Sequence, residues 1–275
     1  MEIGIFAKTW TRYKQMEEVF KKAEEQGIES FQFNMCMAGQ KTLPDIYDPH
    51  LINKISCLSR KYNIKLAAMS GTFNLLDDEK FEQNVKRAEY LMKGCEALQI
   101  PVLPLCTGTK SKESMWTWHP ENGTEEVWNS MKEKLDKLIP AAEKYKMILG
   151  IEPEISNVIS TPQKARRLLE EMKTPVLKII MDAANLFLPG EKVSNEKIEE
   201  AVALLKEDIV LVHAKDCMMS DGKIFYKAAG KGQIDFEYYM DCLKKIGYGR
   251  SVILHGLTED EISYSVNFLK KWIES

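Results

Sequence analysis

Short apolar runs alternate with longer amphipathic stretches along the whole chain of 275 residues. In the longer stretches, apolar residues recur at positions i, i+3, i+4 and i+7, which predicts helices with one buried face. Several of these stretches end at a glycine or asparagine just before the next apolar run, as helix C-termini commonly do. The eight short runs predict strands, which cover residues 3–8, 30–34, 64–70, 101–107, 147–152, 177–182, 209–214 and 251–255.

Strict alternation of strands and helices predicts parallel strands joined by right-handed crossovers. The nearly continuous apolar runs are typical of a sheet that is buried on both faces. An open doubly wound sheet and a closed barrel both fit this pattern, but neither GxGxxG nor GxxxxGK[ST] follows the first strand. Eight strand–helix units in a chain of this length are normal for a barrel. We therefore expect an α/β fold, a single (β/α)8 barrel spanning residues 1–275.

One connection, residues 107–124, is too long for an ordinary barrel loop and shows neither a helical nor a strand period. Connections longer than about 12–15 residues are usually functional or disordered. Two tryptophans and a histidine in this segment argue against disorder. We expect a loop that covers the C-terminal ends of the strands like a lid.

The charge balance excludes several classes of function. Lys and Arg number 38 and Asp and Glu number 41, a net charge of −3, so no basic field exists for nucleic acid or a membrane surface. No apolar run approaches the roughly 18–20 residues of a transmembrane helix. The first residues lack a signal-peptide pattern, and six scattered cysteines include no CxxC pair. We expect a reduced, cytoplasmic protein that acts on a small molecule; a homo-oligomer is compatible with the sequence.

Each of the last four strands ends in a side chain that can bind a metal ion: Glu152, Asp182, His213 and His255. In a barrel, residues at the C-terminal ends of strands line one common mouth. Carboxylate and imidazole ligands together suit Mn²⁺, Zn²⁺, Co²⁺ or Fe²⁺, and no thiolate selects zinc. For any one of the four, the alternative is a polar residue that leaves a strand or caps the next helix.

Five further side chains are candidates for substrate contact: Glu154, Asn185, Lys215, Trp116 and His119. Each also has a structural explanation. Glu154 could be solvated in its loop, Asn185 could cap a helix, and Lys215 could form an ion pair. Trp116 and His119 could pack the long loop against the barrel instead of covering a sugar.

These residues lie in short motifs that resemble the xylose-isomerase-like TIM-barrel superfamily, which contains sugar and sugar-phosphate isomerases and epimerases as well as endonuclease IV. The motifs are SGTFN (70–74), LCTGT (105–109), MWTWHP (115–120), GIEPE (150–154), MDAAN (181–185), HAKD (213–216) and GKGQIDF (230–236). The resemblance covers essentially the whole chain. It implies a divalent metal held by Glu, Asp, His and Glu on strands five to eight, and it places the first three roles on Glu152, Asp182 and His213.

The chain departs from the family pattern at two positions. His255 stands where the family has its last glutamate, and Asn185 stands where a histidine is common. In the ketose epimerases of the family, two glutamates are thought to move a proton on opposite faces of the substrate. Only Glu152 remains of that pair, so His255 is either the fourth ligand or the second proton carrier.

The resemblance and the residues together predict a metal-dependent isomerase or epimerase. It would act on a small sugar, ketose or sugar phosphate through an enediolate, with Glu152 as ligand and general base. A dehydratase begins with the same proton abstraction and is one alternative; a non-catalytic sugar-binding barrel is the other. An endonuclease is disfavoured, because the chain has only four histidines and a net charge of −3.

Overall fold

Parallel strands pair side by side around a closed ring in the computed structural model, which describes residues 1–273. The strands are β1 (Glu2–Phe6), β2 (Ser30–Phe33), β3 (Lys65–Met69), β4 (Val102–Leu105), β5 (Ile148–Ile151), β6 (Leu177–Asp182), β7 (Ile209–Ser220), β8 (Lys223–Ala228) and β9 (Ser251–Leu254). Strands β1 to β6 pair in chain order, β7 pairs with β6 and β9, and β9 pairs with β1. These eight parallel strands confirm the predicted (β/α)8 barrel.

Helices follow the strands and form the outer layer of the barrel. They are α1 (Met16–Glu25), α2 (Pro49–Lys61), α3 (Phe81–Ala97), α4 (Glu125–Asp136), α5 (Ile139–Lys144), α6 (Pro162–Met172), α7 (Asn195–Leu205), α8 (Phe236–Lys245) and α9 (Ile262–Ile273). Side chains such as Asp48, Thr161 and Asp235 cap helix N-termini by accepting hydrogen bonds from backbone N–H groups. Within the described part of the chain, no helix combines the length and apolar character needed to cross a membrane.

The amphipathic stretch between β4 and β5 predicts one helix, but the structure divides it into α4 and α5. Pro140 lies at the start of α5. Proline has no N–H to donate to the preceding turn, and its ring clashes with the carbonyl there. The helix therefore ends at Asp136 and restarts beyond it. Upstream, the long connection 107–124 contains a short 3₁₀ helix, Pro120–Gly123.

Strand β7 continues six residues past its predicted end at 214, and β8 was not among the predicted strands. The two strands form an antiparallel hairpin beside the barrel mouth. Asp221 and Gly222 make its two-residue turn, with φ of 50° and 71°. Asp-Gly between two strand-like segments is a strong hairpin signal, so this hairpin could have been predicted from the sequence.

Alternate residues of the strands point into the barrel, and they are apolar in its lower part and polar at its mouth. The lower interior is an apolar cluster that includes Ala68, Val102, Ile180, Leu211 and Ile253. The other residues of each strand pack outward against the helices in a second, larger cluster. The apolar interior therefore forms a packed floor beneath the polar side chains.

Gly4 lies in this interior, and its lack of a side chain leaves room for Ile253 and Ser30. A Cβ at Gly4 would lie 2.5 Å from Ile253 Cδ1 and 2.9 Å from the Ser30 carbonyl oxygen. We expect Gly4→Ala to lower the free energy of unfolding by about 1–3 kcal/mol, as overpacking typically does. Denaturant unfolding measures this change, with Gly249→Ala as the control because a Cβ there meets nothing within 4 Å. Equal stabilities of the two variants would contradict the packing described here.

Candidate metal centre

Three of the predicted ligands come together at the barrel mouth: Glu152 directly follows β5, Asp182 ends β6 and His213 lies on β7. One ligand atom from each lies within 4.8 Å of the other two. The side chain of His213 is 1% exposed and that of Asp182 is fully buried, whereas Glu152 is 20% exposed. The cluster is thus a buried donor set with one edge open to solvent.

His213 makes contacts through both ring nitrogens. Its Nδ1 lies 3.2 Å from Glu152 Oε1 and 3.9 Å from Asp182 Oδ2. Its Nε2 lies 2.8 Å from Oε1 of Gln32, a buried residue of β2 that the sequence analysis did not name. Gln32 occupies an inward position between the outward-packed Phe31 and Phe33. A polar residue at an inward position of an apolar strand is the signal that could have identified it.

Asp182 uses its two carboxylate oxygens differently. Oδ1 accepts a hydrogen bond from the Ala184 N–H at 3.0 Å, which caps the short 3₁₀ helix after β6. Oδ2 faces the centre, 3.0 Å from Lys215 Nζ. Burial raises the pKa of Asp182, while the Lys215 ammonium acts in the opposite sense and favours the carboxylate. Asp182 therefore caps the 3₁₀ helix with one oxygen and directs the other at the cluster.

Lys215 and Asn185 connect the two carboxylates. Lys215 donates to Asn185 Oδ1 at 2.7 Å, and Asn185 Nδ2 donates to Glu152 Oε1 at 2.9 Å. Burial disfavours the Lys215 ammonium, but Asp182 and Glu152 outweigh burial and raise the pKa of Lys215 above its ordinary value. Burial likewise opposes ionisation of Glu152, yet His213 in its doubly protonated form and the Lys215 ammonium lower the pKa of its carboxyl. Lys215 is consequently a fixed cation of this site.

The balance of these charges favours a bound cation. Two carboxylates face a single ammonium, which leaves one net negative charge before the imidazoles are counted. Buried charges are stable only when they are paired or coordinate a metal. Oxygen and nitrogen donors at this spacing suit the divalent ions predicted from the sequence. The residues present therefore fit a divalent metal.

His255 lies at the same mouth but outside the three-residue cluster. Its ring stacks on Phe6 on one side, with centroids 5.0 Å apart, and on His213 on the other, at 4.8 Å and an angle of 9°. Ligation by His255 stays a prediction. Burial, with His213 and Lys215, lowers the pKa of His255 to about 3, so the imidazole is neutral.

The long loop is tied to the mouth through Glu154. The Glu154 carboxylate accepts hydrogen bonds from Asn157 Nδ2 at 2.6 Å and from the Ser156 N–H at 3.0 Å. Asn157 also donates to the Met115 carbonyl oxygen at 3.4 Å. The side chain of Trp116, next to Met115, is 53% exposed. The loop thus presents an aromatic side chain to solvent while its backbone is fixed to the β5 loop.

Two other side chains, one on the long loop and one on the hairpin, have defined contacts. His119 caps the 3₁₀ helix, because its Nδ1 accepts a hydrogen bond from the Glu121 N–H at 3.3 Å. Tyr226 belongs to the unpredicted strand β8, and Lys215 Nζ lies 4.3 Å from the centre of its ring. The hairpin therefore shields the Lys215 ammonium with an aromatic face.

Asp216 joins two of the sequence motifs into one structural unit. The buried carboxylate accepts backbone N–H groups of Cys217, Gly230, Gly232 and Ile234, at 2.8, 3.1, 2.8 and 3.0 Å. These bonds hold the GKGQIDF turn against the end of HAKD. Asp216 is thus a structural residue adjacent to Lys215.

Removal of the Asp216 carboxylate leaves buried N–H groups without partners. We expect Asp216→Ala to lower the free energy of unfolding by about 3 kcal/mol, since hydrogen bonds to a charged group contribute more than neutral ones. Asp136→Ala, at an exposed position of α4, serves as the control in the same denaturant titration. A loss no larger than that of the control would contradict this role for Asp216.

Comparison with known proteins assigns the chain to a family. The family model described as "Xylose isomerase-like TIM barrel" matches residues 20–272. No curated protein sequence matches the chain significantly. Several solved structures share the fold at low sequence identity.

A D-psicose 3-epimerase from Clostridium cellulolyticum H10, solved with D-tagatose, is 15% identical with a TM-score of 0.76, and all of both chains is covered. An IolI protein with a bound zinc atom is 17% identical with a TM-score of 0.74, covering 100% of this chain and 98% of that chain. The probable 3-DHS dehydratase AsbF from Bacillus anthracis is 12% identical with a TM-score of 0.76, covering 98% and 99%. At such identities the likeness concerns the fold. The match over residues 20–272 shows that the chain belongs to the xylose isomerase-like TIM-barrel family.

Proposed function

We propose that this protein is a divalent-metal-dependent isomerase or epimerase that acts on a small sugar, a ketose or a sugar phosphate. The observation that carries the proposal is the buried cluster of Glu152, Asp182 and His213 at the barrel mouth. Its excess negative charge supports the binding of Mn²⁺, Zn²⁺, Co²⁺ or Fe²⁺. The fold is shared with a ketose epimerase and with a zinc-containing protein, which is consistent with this chemistry.

A divalent cation held by Glu152, Asp182 and His213 would supply Lewis acidity to the carbonyl and neighbouring hydroxyl of a substrate. Glu152 is ionised and partly open to solvent, so it is able to take the proton from the carbon next to the carbonyl. The Lys215 ammonium is fixed beside Asp182 and adds positive charge where the enediolate forms. His255 is the second proton carrier in this proposal: its neutral imidazole would take up a proton from solvent and pass one to the opposite face of the substrate.

Contacts to the substrate are proposed for Glu154, Asn185, Lys215, Trp116 and His119. Asn185 and Lys215 already bridge the two carboxylates, so their remaining donors are able to orient substrate hydroxyls. The exposed Trp116 offers an aromatic face to the C–H surface of a sugar. Since Glu154 and the long loop share Asn157, we propose that this loop closes over the substrate and excludes water.

A dehydratase is the second candidate, and the replacement of a family glutamate by His255 favours it. An epimerase must return a proton on the opposite face, whereas in an elimination the proton taken from carbon can leave with the hydroxyl group as water, so that one acid–base group suffices. The carboxylate of Glu152 serves the first step of both reactions. The same fold also occurs in a protein described as a probable dehydratase.

Proton abstraction is tested by solvent exchange, which does not depend on the final product. We incubate metal-loaded protein in D₂O with a panel of ketoses, polyol-ketones and their phosphates. Deuterium is expected at the carbon next to the carbonyl of the accepted compound, and Glu152→Gln should slow its entry at least about 100-fold. Loss of water from the product identifies a dehydratase. A metal-loaded protein that binds a sugar without any exchange would be a non-catalytic sugar-binding barrel.

The ligand set is tested by elemental analysis of purified variants. We expect stoichiometric metal in the native protein, its loss in His213→Asn, and its retention in His255→Phe, because phenylalanine preserves the ring stack on Phe6 and His213. Turnover of His255→Phe should fall by about 100-fold or more if the imidazole carries a proton. Metal loss in His255→Phe would instead make His255 the fourth ligand. A native protein that takes up no metal would contradict the proposed function.

A further inference from the structure

Gln32 contacts the candidate ligand His213 on the side of the ring that faces away from the two carboxylates. Its side chain is buried at 4% exposure in the interior of the barrel. Gln32 Oε1 lies 2.8 Å from His213 Nε2, and Gln32 Nε2 donates to Ser70 Oγ at 3.2 Å. The amide is therefore engaged at both ends, by one residue from β7 and by one that follows β3.

The orientation of this amide determines which ring nitrogen of His213 carries a hydrogen. Oxygen Oε1 accepts hydrogen bonds only, so the imidazole must donate from Nε2. The hydrogen on Nε2 leaves the lone pair of Nδ1 directed at Glu152 Oε1, 3.2 Å away, and Asp182 Oδ2, 3.9 Å away. We propose that Gln32 is a positioning residue that holds His213 in the Nε2–H tautomer and so presents Nδ1 to the metal.

This arrangement makes the metal-free centre electrostatically unsatisfied. A nitrogen lone pair and two carboxylate oxygens face one another, and either a cation or an additional proton between them removes the repulsion. Without Gln32, the ring hydrogen is free to move to Nδ1 and to donate to Glu152 Oε1. The two ligands would then satisfy each other, and the metal would have to displace that hydrogen. Gln32 therefore favours metal binding without touching the metal.

The inference rests on the proposed function, since it concerns the ligands of the same site, but its first test does not require activity. Nitrogen-15 NMR of the metal-free protein distinguishes protonated from unprotonated imidazole nitrogens. The chain has only four histidines, and His213→Asn identifies the resonances of His213 by their loss. We expect a protonated Nε2 in the native protein and a shift of the hydrogen to Nδ1 in Gln32→Leu. An unprotonated Nε2 in the native protein would overturn the proposal.

The second test measures metal affinity by competition with a chromophoric chelator, using Zn²⁺ and Mn²⁺ as the probes. Loss of a partner that orients a ligating histidine typically lowers metal affinity by about 10–100-fold, and we expect this loss in Gln32→Leu. Gln32→Glu keeps an oxygen acceptor for Nε2–H and should restore most of the affinity. Ser70→Ala removes only the far anchor of the amide and should have a smaller effect. Circular dichroism and denaturant unfolding establish that each variant is folded.

The outcomes separate this inference from the proposed function. Native affinity in Gln32→Leu, with the fold intact, would overturn the role of Gln32 and leave a metal-dependent enzyme in place. A native protein with the Nε2–H tautomer but no affinity for either metal would contradict the proposed function and leave the role of Gln32 in orienting His213. If Gln32→Glu fails to restore the affinity that Gln32→Leu loses, the acceptor on Nε2–H is not the cause and the proposal is wrong.

Discussion

Closure of the strands into a ring is the constraint on which the site depends. Because side chains alternate between the two faces of a strand, closure sends every second residue of all eight parallel strands into one interior. The last inward positions of different strands then form a single layer at the mouth. Gln32, Glu152, Asp182 and His213 belong to this layer although they are far apart in sequence. Apolar inward residues below them form the floor, so these polar groups have their partners at the level of the mouth.

Burial then determines how the charges of this layer must be arranged. An isolated carboxylate is very costly inside a protein, so each carboxylate needs a partner. Lys215 supplies a fixed ammonium to Asp182, and Asn185 connects that pair to Glu152. The hairpin places Tyr226 over Lys215, so the ammonium stays away from solvent as well. The network leaves a deficit of positive charge where His213 Nδ1 and the two carboxylates converge, which is where a divalent ion fits.

Most of the fold could be predicted from the sequence, because the barrel is a repeat of strand and helix, and this repeat produces the alternation of short apolar runs and amphipathic stretches. Polar residues at the ends of the apolar runs could be picked out from the sequence for the same reason, as Glu152, Asp182 and His213 show. Gln32 was missed because it lies inside an apolar run and not at its end, although the alternation of inward and outward residues marks it. The orientation of the His255 ring depends on packing between β1, β7 and the end of β9, which no local pattern encodes. The hairpin was missed although its Asp-Gly turn was visible.

The histidine at position 255 changes the electrostatics of the site in a direction that bears on the reaction. A glutamate there, as the family pattern has, would add a third carboxylate to Glu152 and Asp182. With the neutral His255, two carboxylates and the Lys215 ammonium carry one net negative charge, and a divalent cation brings the total to one positive charge. A glutamate at this position would bring the same total to zero. A divalent cation at this site would therefore be held with less negative charge than in the family pattern, and the site would present a more positive field to a substrate. Such a field would stabilise an anionic enediolate more strongly. The replacement would also leave the return of a proton, the part of a second glutamate, to a neutral imidazole that must first take one up.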